Sequence, residues 1–145
     1  MREWLHSGFG QSVMTRLPSV LALLVLFAQS PPSGTVTLSG HVRNASGQHT
    51  IYVLLWQVDG LTETHREIRI DAGREPRYEF HVPAGRWAIS AYEDRNENER
   101  LDMGMFGPKE PSGFWPAFRG HHKPRFDEVA TVIDADVLDA DIVVK

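Results

Sequence analysis

The stretch Arg77-Tyr-Glu-Phe-His-Val82, followed by Pro83-Ala-Gly-Arg86 and Trp87-Ala-Ile-Ser-Ala-Tyr92, decides the fold class. In the first segment Tyr78, Phe80 and Val82 alternate with charged or polar residues. Because successive side chains of a strand point to opposite faces, this period of two predicts a half-buried strand. The Pro-Ala-Gly sequence predicts a turn, and the apolar run after it predicts a second strand.

Similar short segments lie on both sides of this pair. They cover residues 35–43, 51–58, 67–70, 129–133 and 137–144. About seven short strands at close spacing predict an all-β, antiparallel Greek-key β-sandwich. Residues 103–128 show neither strand nor helix periodicity, so we expect one long irregular loop there, with several aromatic side chains tucked against the sandwich.

Composition restricts the classes of function. The chain has 145 residues, a net charge of −4 and no cysteine. The net charge gives no basic footprint for nucleic acid. The lack of cysteine excludes disulfides, thiolate metal sites and a cysteine nucleophile.

Residues 1–30 have the order of a secretory signal peptide: Arg16, an apolar run from Val20 to Ala28, and then small and polar residues. Met14 is an alternative start. The apolar run is shorter than the roughly 20 residues that a bilayer span requires, which favours a cleaved leader over a membrane anchor. We therefore expect one exported domain over residues 31–145, periplasmic or extracellular, with no stable membrane span after cleavage.

An acidic segment directly follows the predicted strand 87–92. Its oxygen-bearing side chains fall at alternate positions, Asp94, Asn96, Asn98 and Asp102, and the Arg100 carbonyl is available between the last two. This spacing matches the first, third, fifth, seventh and ninth ligand positions of an EF-hand calcium loop. Glu99 replaces the usual glycine, and Met105 replaces the closing glutamate. The alternative is a turn whose Asp and Asn side chains cap their own backbone amides.

A second segment has the opposite charge. Residues 93–102 carry five carboxylates and two arginines, whereas residues 107–126 carry four Lys or Arg side chains and the single carboxylate Glu110. We expect the two segments to pack together, with Glu110 supplying the missing closing ligand of the calcium site. At affinities of about 10⁻⁴–10⁻³ M, typical of extracellular modules, such an ion is a structural brace.

Two other functions are consistent with the sequence. His121 and His122, with Asp127 and Glu128, offer a zinc site or a general base for a metal-dependent hydrolase, although adjacent histidines on an extended chain point to opposite sides. Trp115 and Phe118, interleaved with basic residues, offer an exposed aromatic platform for a glycan, a peptide or an envelope component. We expect Phe114 and Phe126 to be buried instead. A purely structural domain without metal is a further alternative.

Several spaced motifs resemble those of an uncharacterised bacterial family of small exported domains, domain of unknown function 2141. The matching residues are Pro83, Gly85, Trp87, Ala88, Asp94, Asn96, Asn98, Leu101, Asp102, Gly107, Lys109, Glu110, Gly113, Phe114, Pro124, Phe126 and Ala130. Glu93 stands where the family has His, Glu99 where it favours Gly, and Trp115 where it has Ser. The resemblance implies a transthyretin-like or carboxypeptidase-regulatory-like β-sandwich and brings no established activity.

Together these observations predict an exported, non-enzymatic β-sandwich module, with binding or envelope-associated roles and a calcium loop at residues 94–102. No catalytic residue and no organic cofactor is predicted; Ca²⁺ is the one expected ion.

Overall fold

The computed structural model describes residues 34–60, 62–120 and 122–145. The predicted leader and its cleavage region up to residue 33 lie outside the described residues. The strands are β1 (Thr35–Arg43), β2 (Thr50–Asp59), β3 (Thr62–Ile70), β4 (Arg77–Pro83), β5 (Gly85–Asp94), β6 (Met103–Gly104), β7 (Gly107–Pro108), β8 (Ser112–Trp115), β9 (Thr131–Ile133) and β10 (Ile142–Val143), and the helix α1 spans Phe126–Val129. The all-β prediction is confirmed. Within the described ranges, no helix is both long and apolar enough to cross a bilayer.

The larger sheet is built around β5. Its strand order is β3-β2-β5-β8, and β9 pairs with the N-terminal part of β5 at Gly85–Trp87. All of these pairs are antiparallel. Residues 88–94 of β5 lie opposite β2, from Ala88 against Trp56 to Asp94 against Thr50. Every residue of the strand therefore has a strand partner, and residues 89–92 lie between β2 and β8, as their apolar sequence favours.

The smaller sheet has the order β10-β1-β4. β1 and β4 are antiparallel, as predicted, whereas the two-residue strand β10 pairs with β1 in parallel. The C-terminal segment runs along β1 in the same direction, held by polar contacts. Asp141 accepts hydrogen bonds from the His41 N–H at 2.8 Å and from Arg43 Nε at 2.9 Å.

Both sheets bury their facing sides in one core. It contains Leu38 and Val42 from β1, Ile51, Val53 and Leu55 from β2, Tyr78, Phe80 and Val82 from β4, Trp87, Ile89 and Ala91 from β5, and Ile133, Ala140, Ile142 and Val144 from the C-terminal segment. Burial along β4 alternates strictly, as its sequence predicts. Each large aliphatic or aromatic side chain in this core stabilises the fold by roughly 1.5–3 kcal/mol relative to leaving it exposed.

Residues 103–128 are more structured than predicted. They form the β6–β7 hairpin, the edge strand β8 and the helix α1. Sequence periodicity could not show these elements because the β-elements are only two to four residues long and the helix is one turn. β8 also joins the two sheets, since Ser112 and Lys145 exchange two backbone hydrogen bonds of 3.3 Å.

Two glycines permit the C-terminal segment to approach so closely. A Cβ at Gly40 would lie 2.4 Å from the Ala140 carbonyl oxygen, and one at Gly113 would lie 2.1 Å from the Val143 carbonyl oxygen. Both neighbours are backbone atoms, which cannot rotate away as a flexible side chain does. The glycines therefore fix the position of β10 against β1 and β8.

We predict that Gly40→Ala destabilises the fold by about 1–3 kcal/mol, because the added methyl group overpacks a contact between two backbones. Urea denaturation of the purified chain would measure the loss. Gly34→Ala is the matched control, since a Cβ at Gly34 meets nothing within 4 Å. Equal stability of the two variants would contradict the proposed role of Gly40.

Candidate functional site

The acidic segment begins where β5 ends. Glu93 and Asp94 are the last residues of β5 and are both buried, at 0% and 1% relative exposure. Residues 95–102 then form an exposed loop that returns to β6. Because side chains alternate along the strand, Asp94 and Glu93 point to opposite faces of the sheet. Asp94 is thus directed into the loop, and Glu93 is directed to the sandwich interior.

Side chains of the loop hold its own backbone. The Asp94 carboxylate accepts hydrogen bonds from the Asn98 N–H at 3.2 Å and the Glu99 N–H at 2.8 Å. The Asn96 side-chain oxygen accepts from the Asn98 N–H at 3.3 Å, and the Asn98 oxygen accepts from the Arg100 N–H at 3.2 Å. These are the Asx contacts that the turn interpretation predicts. They also fold the alternate side chains inward, as a calcium loop requires.

Two glutamates in the loop adopt left-handed backbone conformations. Glu97 has φ of 60° and Glu99 has φ of 62°. An EF-hand loop has glycine at the position of Glu99, and the backbone here takes the conformation that glycine favours. A left-handed residue with a Cβ costs about 1–2 kcal/mol, so the hydrogen bonds to Asp94 offset strain at Glu99.

Asp102 is the point where the loop side chains meet. Its Oδ2 lies 2.6 Å from Asn96 Nδ2 and 3.0 Å from Asn98 Nδ2. These two hydrogen bonds, helped by the nearby Arg100 and Lys109 cations, hold the pKa of the Asp102 carboxyl below its usual value. Asp102 therefore keeps its negative charge at all physiological pH values.

Glu110 fastens the two ends of the loop together. It is buried, at 6% exposure, and its Oε1 accepts from the Arg95 N–H at 2.9 Å while its Oε2 accepts from the Asp102 N–H at 3.2 Å. The structure thus places Glu110 against the acidic loop, but its oxygens face backbone amides. Both oxygens are thus engaged with the backbone, and no metal-binding cluster of the described residues includes Glu110. Lys109, the basic residue next to Glu110, donates its backbone N–H to the Asp102 carbonyl at 2.8 Å.

A polar cleft of about 330 Å³ lies beside the loop, lined by Thr50, Tyr52, Arg69, Asp94, Glu97 and Glu99. Tyr52 stacks on Tyr92, with ring centroids 5.2 Å apart. Burial, together with the carboxylates around the pair, raises the pKa of both phenols. Both rings therefore remain neutral and form an apolar base under the charged loop.

The described part of the acidic loop contains no cluster of ionisable metal ligands. Within residues 34–60, 62–120 and 122–145, no three His, Cys, Asp or Glu side chains lie close enough together to hold a metal ion. The loop itself brings together two carboxylates, Asp94 and Asp102, and two amides, Asn96 and Asn98. A site of this composition suits a hard, weakly bound cation because oxygen is its sole donor type.

The predicted aromatic platform is divided between two faces. Trp115 is half-buried and packs against the central core. Phe118 is half-buried on Phe114, with centroids 6.0 Å apart, and also contacts the His122 ring. Phe114 lies opposite Ser90 and packs on Trp56, whereas Trp115 lies opposite Ile89. Neighbouring residues of β8 face opposite sides, so Phe114 and Trp115 point apart. Because Phe118 packs on Phe114, it does not form with Trp115 the single exposed surface that the sequence suggested.

The histidine region is engaged in local surface contacts. His121 lies outside the described residues. His122 Nε2 lies 3.1 Å and 3.2 Å from the two carboxylate oxygens of Glu128, which also accepts the Arg125 N–H at the start of α1. Asp127 pairs with Arg86 at 3.2 Å. The two predicted carboxylate partners are therefore separated, one bound to His122 and one to Arg86.

Glu93 is a buried structural residue that was not among the predicted site residues. Its Oε1 accepts hydrogen bonds from the N–H and Oγ of Ser46, the N–H at 3.0 Å. In the described part of the chain its Oε2 has no hydrogen-bond partner and lies 3.7 Å from Arg95 Nη2. The strand alternation, extended by one residue beyond Tyr92, was the signal that could have placed this carboxylate inside.

Comparison with known proteins gives one family. The family described as "Uncharacterized protein conserved in bacteria (DUF2141)" matches residues 41–140. No curated protein matches the chain. No solved structure matches it either. The transthyretin-like likeness therefore stays a prediction, and no relative supplies an activity.

We predict that Glu110→Gln loosens the loop ends. One of the two amides then faces the new NH₂ group, and loss of a hydrogen bond to a charged acceptor costs about 1–3 kcal/mol. Amide hydrogen exchange at Arg95 or Asp102 should accelerate by about 5- to 150-fold. Glu97→Gln, in the same loop with an exposed side chain, is the matched control. Unchanged exchange in Glu110→Gln would show that Glu110 does not hold the loop.

We also predict the direction of the pH dependence of the loop. A pKa lower in the folded than in the unfolded state stabilises the fold above the unfolded pKa, about 3.9 for Asp, and this contribution is lost as the pH falls through the folded pKa. NMR titration in EDTA should therefore show that the Asp102 carboxyl titrates at a lower pH in the folded chain than in urea. A folded midpoint equal to or above the unfolded one would refute the hydrogen-bonding account.

Proposed function

The chain belongs to the uncharacterised bacterial family DUF2141, and we propose that it is an exported, non-enzymatic β-sandwich module whose loop 94–102 binds Ca²⁺ as a structural brace. The module then serves as a binding or envelope-associated domain. The observation that carries the proposal is the convergence of Asn96 and Asn98 on the Asp102 carboxylate, at 2.6 Å and 3.0 Å, inside a loop closed by Asp94.

The two amides can present oxygen to a cation. The oxygen and nitrogen of an Asn side chain have nearly the same shape, and a half-turn about the Cβ–Cγ bond exchanges them. Rotation would direct the Asn96 and Asn98 oxygens toward the place where their nitrogens now meet Asp102. It would also break the bonds from the Asn98 and Arg100 N–H groups, at 3.3 Å and 3.2 Å, so calcium competes with turn hydrogen bonds.

The ligand count favours weak binding. Ca²⁺ takes six to eight oxygens. Asp94, Asn96, Asn98, Asp102 and the Arg100 carbonyl offer one set, and water supplies the remainder. Residues 93–102 carry a net charge of −3, from five carboxylates and two arginines, which attracts a cation. Glu110 supports this set by positioning the backbone at Arg95 and Asp102.

Export makes a weak site useful. The leader order of residues 1–30 supports an extracytoplasmic location. With affinity of about 10⁻⁴–10⁻³ M, millimolar calcium stabilises the fold by about 0.4–1.4 kcal/mol. This magnitude fits a brace and is too small for a switch that needs several kcal/mol. The non-enzymatic assignment is supported by the engagement of His122 with Glu128 and of Asp127 with Arg86 in separate surface pairs.

The test is a thermal melt of residues 31–145 in EDTA, in graded calcium and in magnesium. We expect millimolar calcium to raise the melting temperature by about 2–8 °C. Magnesium should have a smaller effect, because it demands shorter bonds and near-ideal octahedral geometry. Asp102→Asn should remove the calcium-dependent rise, while Asp139→Asn, which removes a carboxylate on an exposed residue outside the loop, should retain it.

Comparing each variant with itself in EDTA separates metal binding from the intrinsic stability of the loop. The absence of a shift up to 10 mM calcium, or an equal shift in wild type and Asp102→Asn, would reject calcium binding. The loop would then be a turn stabilised by its own Asx hydrogen bonds.

A further inference from the structure

The β6–β7 hairpin presents two apolar side chains to solvent at its tip. Met105 is 91% exposed and Phe106 is 97% exposed. They occupy the two loop positions between Gly104 and Gly107, where turn formation favours Asn, Asp or Gly. The requirements of the turn therefore do not explain the choice of Met and Phe. We call Met103–Pro108 the finger.

An open apolar groove lies on the outer face of the larger sheet. Its volume is about 530 Å³, within the range of small-molecule pockets. Leu54 and Trp56 form its floor, Phe126 forms a wall, and Glu63, His65 and Lys123 stand around it. Val58, which also lines the groove, is 39% exposed. An aromatic ring has both the apolar surface and the size to enter such a groove.

The finger and the groove lie at opposite ends of the same sheet. The finger directly follows Asp102, which is held beside the Asp94 end of β5 because Glu110 accepts hydrogen bonds from the N–H groups of both Arg95 and Asp102. The groove floor lies where Trp56 pairs with Ala88, six residues along β5 from Asp94. At about 3.3 Å per residue this is about 20 Å. Because the finger is exposed and far from the groove of its own chain, it is available to contact another molecule.

The charges at the two ends differ. The loop adjoining the finger has a net charge of −3 over residues 93–102. Residues 116–128, at the wall of the groove, carry Arg119, Lys123 and Arg125 against Asp127 and Glu128, a net charge of +1. Head-to-tail contact brings the acidic loop of one copy toward this basic wall of the next. Opposite charges across an interface assist association and fix its register.

We propose that the finger of one copy inserts Phe106 into the Trp56–Phe126 groove of a second copy, so that the module self-associates head to tail. This contact is heterologous, because two different surfaces meet. It therefore leaves a free finger and a free groove at the ends of each assembly and permits growth beyond a dimer. The contact does not require bound calcium, and its experiment is performed in EDTA.

The experiment measures the mass of residues 31–145 by sedimentation across a concentration series; this segment contains every core residue, from Leu38 to Val144. Wild type should form dimers and larger species as concentration rises. Phe106→Ser, which removes the tip, and Val58→Lys, which places a charge in the groove, should each weaken association at least tenfold. Leu138→Ser, an exposed apolar residue at 67% exposure outside both surfaces, is the control and should behave as wild type.

Mixing the two defective variants gives the decisive result. Phe106→Ser retains a groove and Val58→Lys retains a finger, so an equimolar mixture should form one-to-one dimers and nothing larger. A monomeric wild type at millimolar concentration would overturn the proposal. Loss of association in Phe106→Ser but not in Val58→Lys would also overturn the proposal, because this result indicates finger-to-finger contact. Phe106-dependent binding of a monomeric wild type to phosphatidylcholine vesicles would assign the finger to a lipid surface instead.

Discussion

The pairing of β5 with three other strands orders the larger sheet. β2 pairs with its residues 88–94, β8 with residues 89–92 and β9 with residues 85–87. Its register fixes which side chains enter the core, because Ile89 and Ala91 face inward while Tyr92 stacks on Tyr52 on the opposite face of the sheet. A shift of one residue would exchange these faces and expose the core set. The same register delivers Asp94 into the acidic loop.

Side-chain oxygens stabilise the loop that follows β5 by accepting hydrogen bonds from its backbone. Asp94, Asn96 and Asn98 satisfy backbone amides within the loop, and Glu110 satisfies the amides at its two ends. These bonds offset the left-handed conformations at Glu97 and Glu99. The arrangement that makes the turn stable also gathers negative charge at Asp102. The turn hydrogen bonds and the proposed cation therefore compete for the same side-chain oxygens.

The surface of the larger sheet has two distinct ends. The end at Asp94 carries the acidic loop and the apolar finger, and the other carries the aromatic groove and its basic wall. The edge strand β8 separates the aromatic residues that the sequence placed together, sending Trp115 to the core and Phe114 to the outer face. Phe118 then covers Phe114, so the apolar surface left open is formed largely by β2 and α1.

Local sequence patterns were enough to predict the strands with clear alternation, the all-β class and the inward-turning Asp and Asn positions of the loop. These features are local: a period of two assigns the faces of β4, and Asx side chains reach amides only a few residues away. Only the folded chain shows the parallel pairing of β10 with β1, the burial of Glu93, the backbone amides that Glu110 binds and the division of the aromatic cluster. Each of these joins residues that are distant in the chain or belong to elements too short for a periodic signal. The close approach at Gly40 illustrates the reason, since its lack of a side chain has a meaning only when the Ala140 carbonyl is beside it.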